Sequence, residues 1–368
     1  MKITFPHMGH TWVVMKALLE HLGLDVVVPP YSSKRTLSLG VQHAPEFACL
    51  PLKINLGNLI EARELGADAF IMAGGVGPCR FGLYAQLEKE ILYDLGYTYE
   101  SLVLEPPDMG ILKFLKEVRQ IIGTVSWWRV WQSVRIAYRK AYLIDELERV
   151  LQELRPREVV KGTADRIFSF SLSTIDRAKN NDDLNEAFGL AKQKLLHVPT
   201  DDNQIILKIG LVGEIYTLLE PFASLEIEKK LGYLGAHVNR SLYLSEWINE
   251  HLFHGFLGKK NMNRQFKDYS YPFLNHFVGG HGQESIGASV AFAKEGYDGI
   301  VQLAPLTCMP EIVAHTIFPK VTKECGIPVL TIYLDEQMGQ EGVNTRLEAF
   351  TDLLRKKRAL LDPLRTIC

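Results

Sequence analysis

The sequence predicts an α/β protein of two lobes joined by a helical segment. Three observations predict it. Short β-branched runs alternate with amphipathic stretches in the first third and again in the last third, the pattern of βαβ units around a parallel sheet. Between them, from Pro106 to about Asn203, strand signals are scarce and helical spacing dominates. The 368 residues suit two domains of about 100–200 residues each. The expected units are residues 1–105, 106–203 and 204–368.

The elements follow in order. Ile3 to Phe5 reads as a strand, His10 to His21 as a helix, and Asp25 to Val28 as a strand closed by Pro29-Pro30. Leu56 to Leu65 is helical, Ala69 to Ala73 is a strand ended by Gly74-Gly75, Phe81 to Leu95 is a helix, and Tyr99 to Leu104 a strand. In the middle, Trp127, Trp131, Val134, Tyr138 and Ala141 recur at helical spacing, and Leu147, Leu151 and Leu154 continue the stripe to Pro156. Arg129, Arg135, Arg139 and Lys140 decorate it. A membrane-surface or nucleotide-facing helix would fit, but a packed aromatic face is the expectation, because burial alone requires this period. The last third has strands at Ile205–Val212, Ala236–Val238, Gly299–Leu303 and Pro328–Leu334. Helices are expected at Leu225–Leu231, Glu284–Glu295, Pro310–Glu324 and Thr345–Arg358.

Composition narrows the function classes. At 47% hydrophobic residues the chain folds rather than staying disordered. Forty-one Lys and Arg against 43 Asp and Glu give no global reason to expect nucleic-acid binding. No apolar run reaches membrane-spanning length, and the start, MKITFPHMGHTWVV, lacks a signal-peptide core. Five cysteines, odd in number and widely spread, argue against a disulfide framework. A cytoplasmic protein with reduced thiols is expected.

Two glycine-rich turns fall short of known motifs. Gly75-Val76-Gly77-Pro78-Cys79-Arg80 and Gly280-His281-Gly282-Gln283-Glu284-Ser285 each lack the third glycine of a dinucleotide fingerprint. No GxxxxGK[ST], HExxH or CxxC occurs, so a Walker ATP site and standard zinc or thioredoxin-like sites have no support.

The cysteines are more informative. Cys79 and Cys308 each follow a strand through a Gly- or Pro-containing loop and precede a helix. That is the carboxyl-end crevice where open α/β sheets place ligands. A helix N-terminus is expected to lower a thiol pKa and favour thiolate. Cys49 sits in a loop with Pro45 and Pro51 on either side. These three would meet where the lobes face each other. Cys325 and Cys368 read as bystanders, the ordinary state of a small buried hydrophobe. Spacings of 30 and 229 residues form no compact metal motif, so chemistry alone leaves the question open.

The segment GGVGPCRFGLYAQLEKEILYDLGY (Gly74–Tyr97) resembles the family of 2-hydroxyacyl-CoA dehydratase subunits, in particular the acyl-CoA dehydratase activase-related proteins, relatives of double-cubane cluster proteins. GGHGQESIGASVAFAKEGYDGIVQLAPLTCMPEI (Gly279–Ile312), LDEQMGQEGVNTRLEAFTDLL (Leu334–Leu354), FPHMGHTW, and LVGEIYTLLEPFASLEIEKKLGYLGAHV (Leu211–Val238) are similar to the same group. The resemblance implies two flavodoxin-like, doubly wound lobes with a 4Fe–4S cluster between them on Cys49, Cys79 and Cys308. A double cubane is implied only if a dimer shares ligands. It also implies a separate ATP-dependent activase of actin/Hsp70/sugar-kinase fold as electron donor, and a homodimer or a heterodimer with a related subunit. The substrate would be an acyl-CoA thioester or another small molecule.

Three thiolates leave one iron open to a further ligand, unlike a four-Cys electron carrier. Backbone N–H groups of Gly74–Gly77, with Gly75 and Gly77 foremost, are expected donors to cluster sulfurs. Lys53 and Arg80 would add positive charge, though solvated surface cations are an equal reading. Glu214, His281, Glu284 and Ser285 are the residues expected at the catalytic position, and Gln283 stands beside them. Helix capping and sheet packing explain Gln283, Glu284 and Ser285 equally well. Three functions are carried forward: an electron-accepting component supporting low-potential reduction or dehydratase-like radical chemistry, a non-catalytic relay or cluster carrier, and a cluster-free regulatory module.

Overall fold

The computed structural model describes residues 1–75, 77–105, 111–253 and 262–365. Pro106, the expected start of the helical segment, and Cys368, the expected bystander, lie outside them. Among the described residues eight parallel strands form two four-stranded sheets. The first contains β1 (Lys2–Thr4), β2 (Asp25–Val26), β3 (Ala69–Ala73) and β4 (Glu100–Leu104) in the order β2-β1-β3-β4. The second contains β5 (Leu207–Gly213), β6 (Ala236–Arg240), β7 (Gly299–Pro305) and β8 (Val329–Leu334) in the order β6-β5-β7-β8. Both follow the sequence order 2-1-3-4, the arrangement that begins a flavodoxin-like sheet. In each, the direction of winding reverses beside the first strand, between β1 and β3 and between β5 and β7.

Side-chain alternation explains why each sheet is covered on both faces. Along β3, Ala69 and Ile71 pack with Ile3, Phe5 and Leu19, whereas Phe70 and Met72 pack with Leu52, Leu56 and Tyr84. The first face takes α1 (Thr11–His21) and α5 (Ile111–Ile122), and the second takes α3 (Leu50–Glu64) and α4 (Tyr84–Asp94). β7 repeats the pattern. Val301 and Leu303 face α10 (Ile227–Tyr233) and α15 (Gln340–Arg365); Ile300 faces α13 (Gly282–Lys294) and α14 (Met309–Cys325). Burial on both faces is what near-continuous apolar parallel strands require.

Four helices were not foreseen: α2 (Lys34–His43), α9 (Ile215–Leu219), α11 (Leu244–Phe253) and α12 (Met262–Ser270). α9 has only five residues, and α2 and α12 are rich in polar residues and carry few apolar side chains to mark them. α2 carries a capping box in which Ser33 and Thr36 exchange hydrogen bonds.

The helices α6 (Trp127–Leu154), α7 (Thr163–Arg177) and α8 (Asn181–Leu196) share a core of their own, into which α1 inserts Val13. The expected packed face of α6 is realised only in part. Ala137, Ala141, Leu147 and Leu151 are buried, but Trp127, Trp128 and Trp131 are 43%, 64% and 50% exposed. α6 lies along α1, and the end of α1 is reached at His21, which meets Ser133 at 2.9 Å and accepts from Arg129 at its carbonyl. The indoles sit on the first two turns of α6. No helix of the described residues is long and apolar enough to cross a membrane.

α6 joins the second lobe through buried charge. Asp145 accepts from the Ser245 amide at 2.7 Å, and burial followed by the nearby Glu148 carboxylate raises its pKa to about 7. A carboxyl whose folded pKa lies above its unfolded value contributes stability below the unfolded value, which is lost as pH rises to the folded one. Asp145→Asn keeps the acceptor and cannot ionise. The variant is therefore expected to outlast the parent at pH 8, by on the order of 2–4 kcal/mol, and to lose that advantage near pH 4. Urea midpoints across this range check it; an advantage that does not depend on pH would refute the assignment.

Candidate cysteine site between the lobes

The two lobes meet through the carboxyl ends of their strands. His7, in the loop after β1, meets Glu220 at 2.9 Å, and the Gly9 amide donates to the same carboxylate oxygen at 2.6 Å. The Tyr216 hydroxyl donates to the His7 carbonyl at 2.8 Å. The two crevices at which the sheets reverse winding thus face one another.

The three expected cysteines occupy equivalent local positions. Each is the residue immediately before a helix: Cys49 before α3, Cys79 before the 3₁₀ turn Arg80–Leu83, and Cys308 before α14. Cys79 follows β3 and Cys308 follows β7, the third strand of each lobe. Pro51 and Pro310 sit in the first turn of their helices, where a missing N–H costs nothing. The proline after Cys49 therefore starts a helix instead of closing a loop.

Hydrogen bonds tie the three loops together beside the cysteines. Arg80 donates to the Phe47 carbonyl at 2.9 Å and to the Thr307 carbonyl at 2.8 Å. The Thr307 hydroxyl donates to the Phe47 carbonyl at 3.2 Å. Thr307 holds a left-handed conformation, φ 67°, which a β-branched residue rarely adopts. Such strain persists only where surrounding bonds over-determine it, and here Arg80 and Phe47 do so. Gly279, φ 88°, lies against the Cys79 loop so closely that a Cβ would stand 2.9 Å from the Cys79 amide nitrogen.

Electrostatics link the same groups. Burial raises the pKa of Cys49, Cys79 and Cys308, and the Glu214 carboxylate raises each further. Arg80 opposes this at Cys49 and Cys79. The amides of Leu52, Phe81 and Glu311 also act to lower the three thiols, though no sulfur accepts a well-formed capping hydrogen bond. The expected lowering by helix N-termini is thus overturned, because desolvation outweighs the partial charge. Cys49 also meets the Tyr84 hydroxyl, whose pKa burial and then Cys49 push up.

Glu214 caps α9, accepting from the amides of Tyr216 and Thr217 at 3.0 and 3.1 Å, and burial raises it to about 7. Ser285 donates to Glu311 at 3.0 Å, and Gln302 donates to the same carboxylate at 2.8 Å. This network lies one turn beyond Cys308. Glu284 faces Lys267 at 3.4 Å, and His281, lowered by burial, precedes α13. Neither Glu284 nor His281 is among the charges acting on the cysteines.

Lys53 is not a solvated cation. It is 3% exposed and bridges the lobes to Glu336 at 2.6 Å. The Gly74 amide is spent on the Leu104 carbonyl at 2.7 Å and is no donor to a ligand. Gly77, φ 98°, would place a Cβ 2.9 Å from the Phe277 ring, and Gly75 packs against Phe81 and Gly82. Val76 lies outside the described residues. Tyr84, Glu311 and Thr307 were missed. Tyr84 and Glu311 could have been sought one turn or so beyond a cysteine at a helix start; the Thr307 conformation has no sequence signal.

Among the described residues no three His, Cys, Asp or Glu side chains stand close enough to share one metal ion. A cubane is a different demand, since each thiolate takes a different iron. One buried thiol, Cys308, and two half-buried ones, Cys49 and Cys79, on tied loops, with Gly279 against the Cys79 loop, fit that donor set, and Cys49, Cys79, Cys308 and Cys325 are all unpaired. No protein-family model matches the chain, and no curated protein matches it.

Proposed function

We propose that the chain is an iron–sulfur protein that holds a 4Fe–4S cluster on Cys49, Cys79 and Cys308 and takes electrons from a separate ATP-dependent activase. The observation that carries this reading is the mutual bonding of Phe47, Arg80 and Thr307, each one or two residues from a cysteine. When bound, such a cluster supplies low-potential one-electron chemistry at an iron open to an added ligand. The protein's own residues do the rest. The cysteines release their protons on ligation, which burial and Glu214 make costly without a cationic partner. Arg80 holds the loops in register, and Lys53 with Glu336 ties α3 to the second lobe.

Anaerobic purification should yield about four irons and four sulfides per chain. Cys79→Ser is expected to lose them and Cys325→Ser to keep them, read by iron assay and by EPR of the reduced protein. Failure to take up iron on anaerobic reconstitution, or equal loss in both variants, would overturn the assignment. The buried Lys53 and its bridge across the lobes to Glu336 favour an electron relay as the second reading. Turnover of a 2-hydroxyacyl-CoA thioester by the activated protein would exclude the relay and support dehydratase-like chemistry.

A further inference from the structure

We propose that the first turns of α6, together with α5, form a docking surface for an anionic lipid membrane. Residues 111–139 carry six cations against one acid, Glu117, in a chain of net charge −2. Lys113 lies 3.9 Å from both Glu105 and Glu117, and Arg129 bonds the His21 carbonyl, which leaves Lys116, Arg119, Arg135 and Arg139 beside the indoles. The same stretch exposes Leu112, Leu115, Trp127, Trp128 and Trp131. Three of the five tryptophans of the chain stand here in water. A monomeric surface seldom exposes such a group without a partner. Indoles at headgroup depth with Lys and Arg beside them are the composition of an interfacial helix.

The ring geometry selects among occupants. Trp128 and Trp131 stack on each other at 4.9 Å and 19°. Arg135 lies 5.4 Å over Trp131, and Arg119 lies 4.8 Å over Trp127. These contacts occupy ring face on all three indoles and so reduce what a nucleobase could stack on. A second copy of the chain joined through this face would set Lys116, Arg119, Arg135 and Arg139 against their own copies, a repulsive pairing. A negative lipid surface meets both features: its charge pairs with the cations, and its headgroup layer takes the indole edges and leucines. The surface involves none of the cysteines and stands independently of the cluster.

The test uses the full chain with vesicles of phosphatidylcholine alone and of equimolar phosphatidylcholine and phosphatidylglycerol. Sedimentation with the anionic vesicles only, weakening with salt, and a blue shift of tryptophan emission are expected. Each cation near the surface contributes about 1 kcal/mol, so Lys116→Glu with Arg135→Glu should weaken binding by about twentyfold or more. Trp128→Ala with Trp131→Ala should remove most of the blue shift. Both pairs lie on the surface, so an unchanged urea midpoint separates lost binding from lost folding. Failure to sediment with anionic vesicles, equal binding to both vesicle types, or tighter binding to a single-stranded oligonucleotide would overturn the proposal. So would a dimer dispersed by the tryptophan substitutions.

Discussion

Gly40→Ala is expected to destabilise the first lobe by about 3 kcal/mol or more and to displace Cys49 with it. Gly40 on α2 and Gly57 on α3 let the two helices cross in backbone contact. A Cβ on Gly40 would stand 1.6 Å from the Lys53 carbonyl oxygen, and one on Gly57 1.9 Å from that of Thr36. Both obstacles are main chain, so no side-chain rotation relieves them. α3 is buried along nearly its whole length and carries Cys49 at its start and Lys53 one turn in. Moving it therefore disturbs both the cysteine loop and the bridge to Glu336. Gly189→Ala provides the contrast. Its Cβ meets nothing within 4 Å on α8, so the helix should gain about 1 kcal/mol. Urea denaturation of the two variants, with iron content measured alongside, checks both; a Gly40→Ala protein as stable as the parent would refute the crossing.

Arg240→Met is expected to cost about 3–5 kcal/mol. Arg240 ends β6 at 5% exposure, bonds Glu148 on α6, and lies 3.3 Å from Glu228 on α10. Glu228 is also held by Arg155 at 2.7 Å, which reaches Asp165 on α7. Removing the guanidinium leaves two half-buried carboxylates, Glu148 and Glu228, short of charge at the joint between the helical segment and the second lobe. Burial alone raises the Glu228 pKa, but Arg240 and Arg155 outweigh it and hold it below the ordinary value. A depressed carboxyl stabilises above its unfolded pKa and loses that contribution as pH falls through the folded one. Without Arg240 the acids can protonate instead, so the deficit should be largest at pH 8 and narrow towards pH 4. Arg240→Lys should lose less, since it keeps the charge without the planar fork. A deficit equal at both pH values would indicate lost packing instead.

Much of the fold was legible because each element repeats a local period. Ala69–Ala73 is a strand over the residues its apolar run and closing glycines indicate. The strand at Ala236 extends to Arg240, and β7 continues to Pro305. The helix read from Leu56 begins at Leu50, because Pro51 marks a first turn. α2 escaped because Gly40, which permits its crossing with α3, also weakens its helical signal.

At the site, the residue types and their strand-end positions were legible, but their relations were not. Lys53 reads equally as a surface cation, and only its burial against Glu336 shows it to be a bridge. The expected drop in thiol pKa considered the helix terminus without the desolvation around it. The tryptophan stripe has the period of a buried face, yet burial depends on where α1 ends.

The sequence by itself determined the two alternating α/β regions, the helical stretch between them, and the placement of Cys79 and Cys308 after strands. Period, turn chemistry and chain order are properties of neighbouring residues. Tertiary structure alone decided that Phe47, Arg80 and Thr307 bond to one another. It also decided that three thiols share the field of Glu214 and that three indoles remain in water. Those outcomes depend on contacts between residues far apart in the chain, 260 positions for Phe47 and Thr307, and on which surfaces are left uncovered, and local pattern carries neither.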